Sequence, residues 1–135
     1  MDVIFLNVEM SEPSAEYELS FEERRGYLYA RVKADIINRQ VAMGYLTEVA
    51  ARARRNESER LMLHRDIPAM LSDSVLFFVT AEFQEVIDGI KTAFVSPYLS
   101  NEDAFNFAIT VGTNRGARYN VFNNDDDAEV WLLRP

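Results

Sequence analysis

From Tyr17 to Ala34, apolar and polar residues alternate with a period of two, interrupted once by Arg24-Arg25-Gly26. Tyr17, Leu19 and Phe21 stand against Glu18, Ser20 and Glu22; after the break, Leu28, Ala30 and Val32 stand against Tyr29, Arg31 and Lys33. Successive side chains on a strand point to opposite faces, so the pattern specifies two half-buried strands. Gly26 can adopt the positive φ that tight turns often need, which joins the two strands as a β-hairpin.

Beyond the hairpin the chain reads as alternating helices and strands. Asn38 is the expected N-cap of a helix running to about Arg55, with Ala42, Tyr45, Leu46, Val49, Ala50 and Ala53 on one face. Arg60-Leu-Met-Leu-His is a short apolar run that suits an interior, parallel strand. The irregular connection Arg65-Asp-Ile-Pro-Ala-Met-Leu leads to a second helix starting at Ser72 or Ser74. That helix shows Val75, Leu76, Val79, Phe83, Val86 and Ile87 on one face and ends at Asp88-Gly89. Thr92-Ala-Phe-Val is a fourth strand, closed by Pro97. Ser100, with Asp103 three residues on, caps a third helix whose stripe is Phe105, Ala108, Ile109 and Gly112 and whose stop is Gly116. Tyr119-Asn-Val-Phe122 is a fifth strand, and Asn124 with Asp125-Asp126-Asp127 opens a last helix carrying Val130, Trp131 and Leu132.

The order β-β-α-β-α-β-α-β-α predicts an α/β fold: a mostly parallel five-stranded sheet with an N-terminal hairpin. Residues 17–135 form one domain, and residues 1–16 an extension whose Val3–Val8 run can add an edge strand or dock on a partner. At 135 residues the chain is close to the commonest size of one domain, large enough to hold a core without disulfide or metal.

Composition narrows the function classes. There is no cysteine, which excludes zinc-finger ligation, iron–sulfur clusters, disulfides and a thiol nucleophile. A formal charge of −8 argues against a nucleic-acid partner, because neutralising phosphate supplies most of that affinity. Arg52, Arg54, Arg55 and Arg60 are the one basic concentration, and cations at a helix C-terminus answer its dipole without any phosphate. The opening Met1-Asp-Val-Ile-Phe-Leu-Asn is too short for a signal peptide, and Val75-Leu-Phe-Phe-Val cannot span a bilayer, so a cytoplasmic protein without a membrane span is expected.

Phe105-Asn-Phe-Ala-Ile-Thr-Val-Gly-Thr-Asn-Arg-Gly-Ala-Arg-Tyr-Asn-Val-Phe and the terminal Asp-Asp-Asp-Ala-Glu-Val-Trp-Leu, with the order of elements, resemble the STAS-like proteins. These are related in fold to anti-sigma-factor antagonists, and the likeness is to their small, stand-alone bacterial branch over roughly residues 17–133. It implies a (βα) superhelix with helices mainly on one side of the sheet, and a regulatory role through protein–protein contact. In such proteins a serine in an Asp-Ser-Ser-Gly turn at the second helix is phosphorylated. Here the matching stretch is Leu71-Ser72-Asp73-Ser74-Val75-Leu76. Val75 falls at the phosphoserine position and Leu76 at the glycine, so the switch is not carried over. Ser72 and Ser74 remain candidates only as serines at a helix start, where phosphate is electrostatically favoured; that one of them is simply the N-cap is the preferred reading.

Among groups that carry chemistry, His64 is the lone histidine, at the C-terminal end of the third strand, with Arg65 and Asp66 next to it. A His64–Asp66 acid–base pair is conceivable, but no nucleophile or oxyanion glycine accompanies it. Gly112-Thr-Asn-Arg-Gly116 falls at a helix end and is no phosphate loop. Three aspartates in a first helical turn answer the dipole and are not read as a metal site. Aromatics are in surplus: Phe77 and Phe78 point about 100° apart on a helix, and Tyr27–Tyr29–Arg31 is the sheet set expected to lie uncovered. Such a face suggests a homodimer interface or an apolar-ligand groove, or else core filling beneath the N-terminal extension.

The expectation is a non-catalytic interaction module without cofactor, contacting a protein partner through loop 65–74 and the second helix, Ser72, Asp73, Ser74 and Phe78 included. The alternative is a carrier or sensor of a small apolar ligand seated between the second helix and the sheet. An enzyme using His64 and Asp66 ranks third.

Overall fold

The computed structural model describes residues 8–10, 16–69, 71, 79, 81–83, 85–103, 105–106 and 118–135. Six strands form one sheet: β1 (Val8–Met10), β2 (Glu18–Arg24), β3 (Tyr27–Lys33), β4 (Arg60–Asp66), β5 (Lys91–Val95) and β6 (Tyr119–Phe122). They lie side by side in chain order, β1 to β6. The five strands expected from the sequence are present, and β1 adds another on the hairpin edge, with Glu9 opposite Phe21.

The sheet is mixed, which corrects the mostly parallel expectation. β1–β2 and β2–β3 are antiparallel; β3–β4, β4–β5 and β5–β6 are parallel. The physical reason is loop length. Two-residue connections return the chain antiparallel, as at Arg25-Gly26, whereas a parallel neighbour needs a crossover long enough for a helix. Gly26 has φ of +92°, the left-handed value that the turn demanded.

Crossovers follow each strand of the parallel half. Helix α1 (Arg39–Arg55) joins β3 to β4, and Asn38 caps it by accepting from Val41 N at 2.8 Å. All six residues assigned to its inner face are buried. Between β4 and β5, residues 79, 81–83 and 85–86 are helical; between β5 and β6, residues 101–103 and 105–106 are. Ser100 Oγ accepts from Asp103 N at 3.0 Å, the expected cap. The last helix, α2 (Asp125–Leu132), starts at Asn124, whose side chain accepts from Asp127 N.

These elements make two cores. Leu19, Leu28, Ala30 and Val32 of the hairpin pack with α1, Leu61, Leu63, Val79, Phe83 and Ile87 on one face of the sheet. On the opposite face Tyr27, Tyr29, Met62, Ala93 and Val95 pack against Ala128 and Leu132 of α2, with Trp131 at the margin. The strand alternation is as read from sequence, but the Tyr27–Tyr29 set is not left uncovered. The terminal helix folds back over it, because an aromatic pair of that size exposed beside an amphipathic helix is best buried by it. The expectation of helices mainly on one side is corrected to that extent: α2 lies on the face opposite α1. Arg31, the third member of the set, stays exposed.

Lys91 locks the far end of α2. Its Nζ donates to Trp131 O at 2.7 Å and Arg134 O at 2.9 Å, carbonyls of the last turn and the residues just after it. Burial, together with Arg60, Arg118 and Arg134 nearby, holds the Lys91 pKa below its ordinary value. Arg54, of the basic cluster at the end of α1, does the same for the end of the second helical segment, donating to Val86 O and Asp88 O at 2.8 Å. Two sequence-assigned core residues face solvent instead: Val86 and Phe105 are exposed. Val75, Leu76, Ala108, Ile109, Gly112 and Gly116 lie outside the described residues. Among the described residues, no helix is long and apolar enough to cross a membrane.

Candidate functional site

Parallel strands β3 to β6 deliver their C-terminal ends to one edge, where α/β sheets gather functional groups. Two sets of polar side chains meet there on the α2 face. His64 on β4 and Asp66 two residues later share that face, since residues i and i+2 of a strand do. Their registers place them opposite Arg31 and Lys33.

Each nevertheless takes its own partner. His64 Nδ1 lies 2.6 Å from Oδ1 of Asp125, the first residue of α2. A carboxylate only accepts, so Nδ1 carries the proton of this contact. Oδ2 of Asp125 accepts from the Tyr29 hydroxyl at 3.1 Å, and the Arg24 guanidinium lies 3.7 Å above the Tyr29 ring. Burial, then the neighbouring Asp125 carboxylate, pushes the Tyr29 phenol far above its ordinary value. Tyr29, Asp125 and His64 thus form a hydrogen-bonded chain from the sheet to the first turn of α2.

Asp66 accepts from Tyr98 OH at 2.6 Å and from Arg31 Nη2 at 2.9 Å. The Tyr98 hydrogen bond, then the Arg31 pair, holds its carboxyl below the ordinary 3.8. The His64–Asp66 pair weighed from the sequence is not joined by a hydrogen bond among the described residues: the two share a face, but His64 meets Asp125 while Asp66 meets Tyr98 and Arg31. Arg65, between them in sequence, faces the α1 side, where it donates to Ile67 O at 2.7 Å and to Ala69 O. It fastens the loop leaving β4. Ser72, Asp73, Ser74 and Phe78 lie outside the described residues, as does Phe77.

The second feature at this edge is a cavity of about 80 Å³ on the α1 face, partly open to solvent. Tyr45, Leu63, Phe83, Phe94 and Val121 supply apolar walls, with Arg65 and Ser96 among its lining residues. It sits between the second helical segment and the sheet, where an apolar-ligand site was expected. Ser96 follows β5 and shares the parity of Phe94, which carries its side chain to the α1 side. Its backbone is held by Ser96 N donating to Phe122 O at 2.9 Å and by Leu99 N donating to Ser96 O at 3.2 Å. Its Oγ is buried and has no hydrogen-bond partner among the described residues.

Asp125, Tyr98 and Ser96 were not among the sequence candidates, and Tyr29 was singled out only within the sheet set expected to lie uncovered. The aspartate run at a helix start pointed to Asp125 as a dipole partner, but which of the three turns inward is a matter of helix phase against the sheet. Among the described residues, no three His, Asp or Glu side chains group as metal ligands. Compared with known proteins, the chain matches no family model and has no significant similarity to a curated protein.

Proposed function

We propose that this chain is a non-catalytic regulatory module on a STAS-like scaffold, acting by contact with a protein partner at the C-terminal edge of its parallel strands. The observation that carries the reading is the pair of large side chains presented there. Ile36, just after β3, is 61% exposed, and Tyr98, just after β5, is 51% exposed, while Phe21, Tyr27, Tyr29 and Tyr119 of the sheet are buried. An apolar group flanked by charged neighbours such as Asp66 and Arg31 is the usual anatomy of a contact patch. The chain-ordered parallel half with a helical segment between successive strands agrees with the resemblance. The acid–base candidates at the edge serve instead to tie elements together, which favours a binding role over a chemical one.

The test is a pull-down of tagged protein at native level, read by mass spectrometry, beside the Ile36→Ser/Tyr98→Ala double variant. A partner retained by the wild type and lost, with unchanged circular dichroism, from the double variant is the expected outcome. If both proteins return only themselves, the reading fails.

A second reading, a sensor or carrier of a small apolar ligand, is favoured by the cavity between the second helical segment and the sheet. The two are compatible, because the cavity and the exposed edge share the loops after β4 and β5.

A further inference from the structure

Resting on the ligand-binding reading, we infer that the cavity takes a small, uncharged amphiphile: a branched aliphatic group inside, and one hydroxyl or carbonyl oxygen hydrogen-bonded to Ser96. The argument starts from the cost of a buried hydroxyl. Ser96 is 6% exposed, and its Oγ meets no hydrogen-bond partner among the described residues. Leaving such a group unsatisfied costs stability, so a folded protein keeps one only where something else satisfies it. Its position supplies the candidate, because the same residue lines the apolar cavity.

Size and wall chemistry then define the class. A cavity of about 80 Å³ is roughly half of the 150 Å³ or so that admits benzene, so it encloses a few carbon atoms and little more. Leu63, Phe83, Phe94 and Val121 offer no hydrogen bonds, and the Tyr45 hydroxyl is already hydrogen-bonded with Arg65, which restricts the polar part of the ligand to one end. Arg65 also lines the cavity, yet its guanidinium donates to the Ile67 and Ala69 carbonyls and thereby closes the loop after β4. The polar anchor left to the ligand is a hydroxyl, which both donates and accepts and so suits an uncharged group.

The experiment is a ¹H–¹⁵N NMR titration of the full chain with isobutanol, with 2-methylbutane (methyl in place of hydroxyl) and with isobutyrate. Wild type and Ser96→Ala are compared, each also melted without ligand. Saturable shifts at Leu63, Phe94 and Val121 with isobutanol, weakened about tenfold by Ser96→Ala, are expected. The melting point of Ser96→Ala without ligand should equal or exceed that of the wild type, since an unsatisfied hydroxyl is being removed. If 2-methylbutane binds as well as isobutanol and Ser96→Ala changes neither, the Ser96 contact is refuted while the apolar-ligand reading stands. Tighter binding of isobutyrate overturns the uncharged class. A lowered melting point shows that Oγ is already held, by ordered water for instance, and overturns the inference. No saturable shift with any probe sinks both the inference and the reading beneath it.

Discussion

Asp66 shows how one carboxylate reports on the edge of this sheet. Its pKa is lowered first by the Tyr98 hydroxyl and then by Arg31. A depressed carboxyl binds its proton more weakly when folded than when unfolded. Its contribution is thus present above the ordinary carboxyl range and is lost as pH falls through the folded value. Asp66→Asn should be less stable than wild type at pH 7 by a small margin, since the pair is largely solvated. The urea midpoints of the two proteins should converge as pH drops below about 4. A gap that stays constant into acid would assign the effect to packing. His64 and Ser96 teach a different lesson. The histidine could be singled out from sequence because its chemistry is rare, whereas nothing marks Ser96 among the serines until the fold buries it beside the cavity.

At the scale of elements, α2 is the piece on which the second core depends. It is short, eight residues, and isolated helices of that length do not persist in water. Its order comes from Asn124 at its start, Lys91 at its end and Leu132 beneath it. Asn124→Ala removes the cap on Asp127 N and should cost about 1 kcal/mol in urea unfolding. Leu132→Ala opens the fully buried face and should cost about 2–5 kcal/mol. Near-equal losses would show that α2 is held by its ends and not by its packing. The cap, the acidic first turn and the apolar residues were all legible in the sequence. The face of the sheet that α2 would cover was not, because a helical stripe states that it must be buried and says nothing about where.

For the molecule as a whole, chain-order pairing makes a stability gradient. β4 is flanked on both sides and covered on both faces, with Leu61, Met62 and Leu63 buried. β1, three residues long, holds one edge, and β6, four residues long, holds the other. Native-state hydrogen exchange should therefore find the slowest amides in β3–β4–β5 and the fastest in β1. Protection of β1 equal to that of β4 would mean that the edge is covered by something further, a second copy of this chain included. Short edge strands are also what limits unwanted pairing.

The chain alone determined its local vocabulary. Period-two alternation, Gly26, Asn38, Asn124 and the apolar stripe of α1 each act through contacts within a few residues, so their outcomes could be read in one dimension. Only the tertiary structure decided that Tyr27 and Tyr29 are buried, that His64 turns to Asp125 and Asp66 to Tyr98, and that Ser96 is stranded beside an apolar cavity. Those outcomes hang on which face a distant helix covers and how strands lie in register, and such long-range choices are made by the sum of burial over the whole fold.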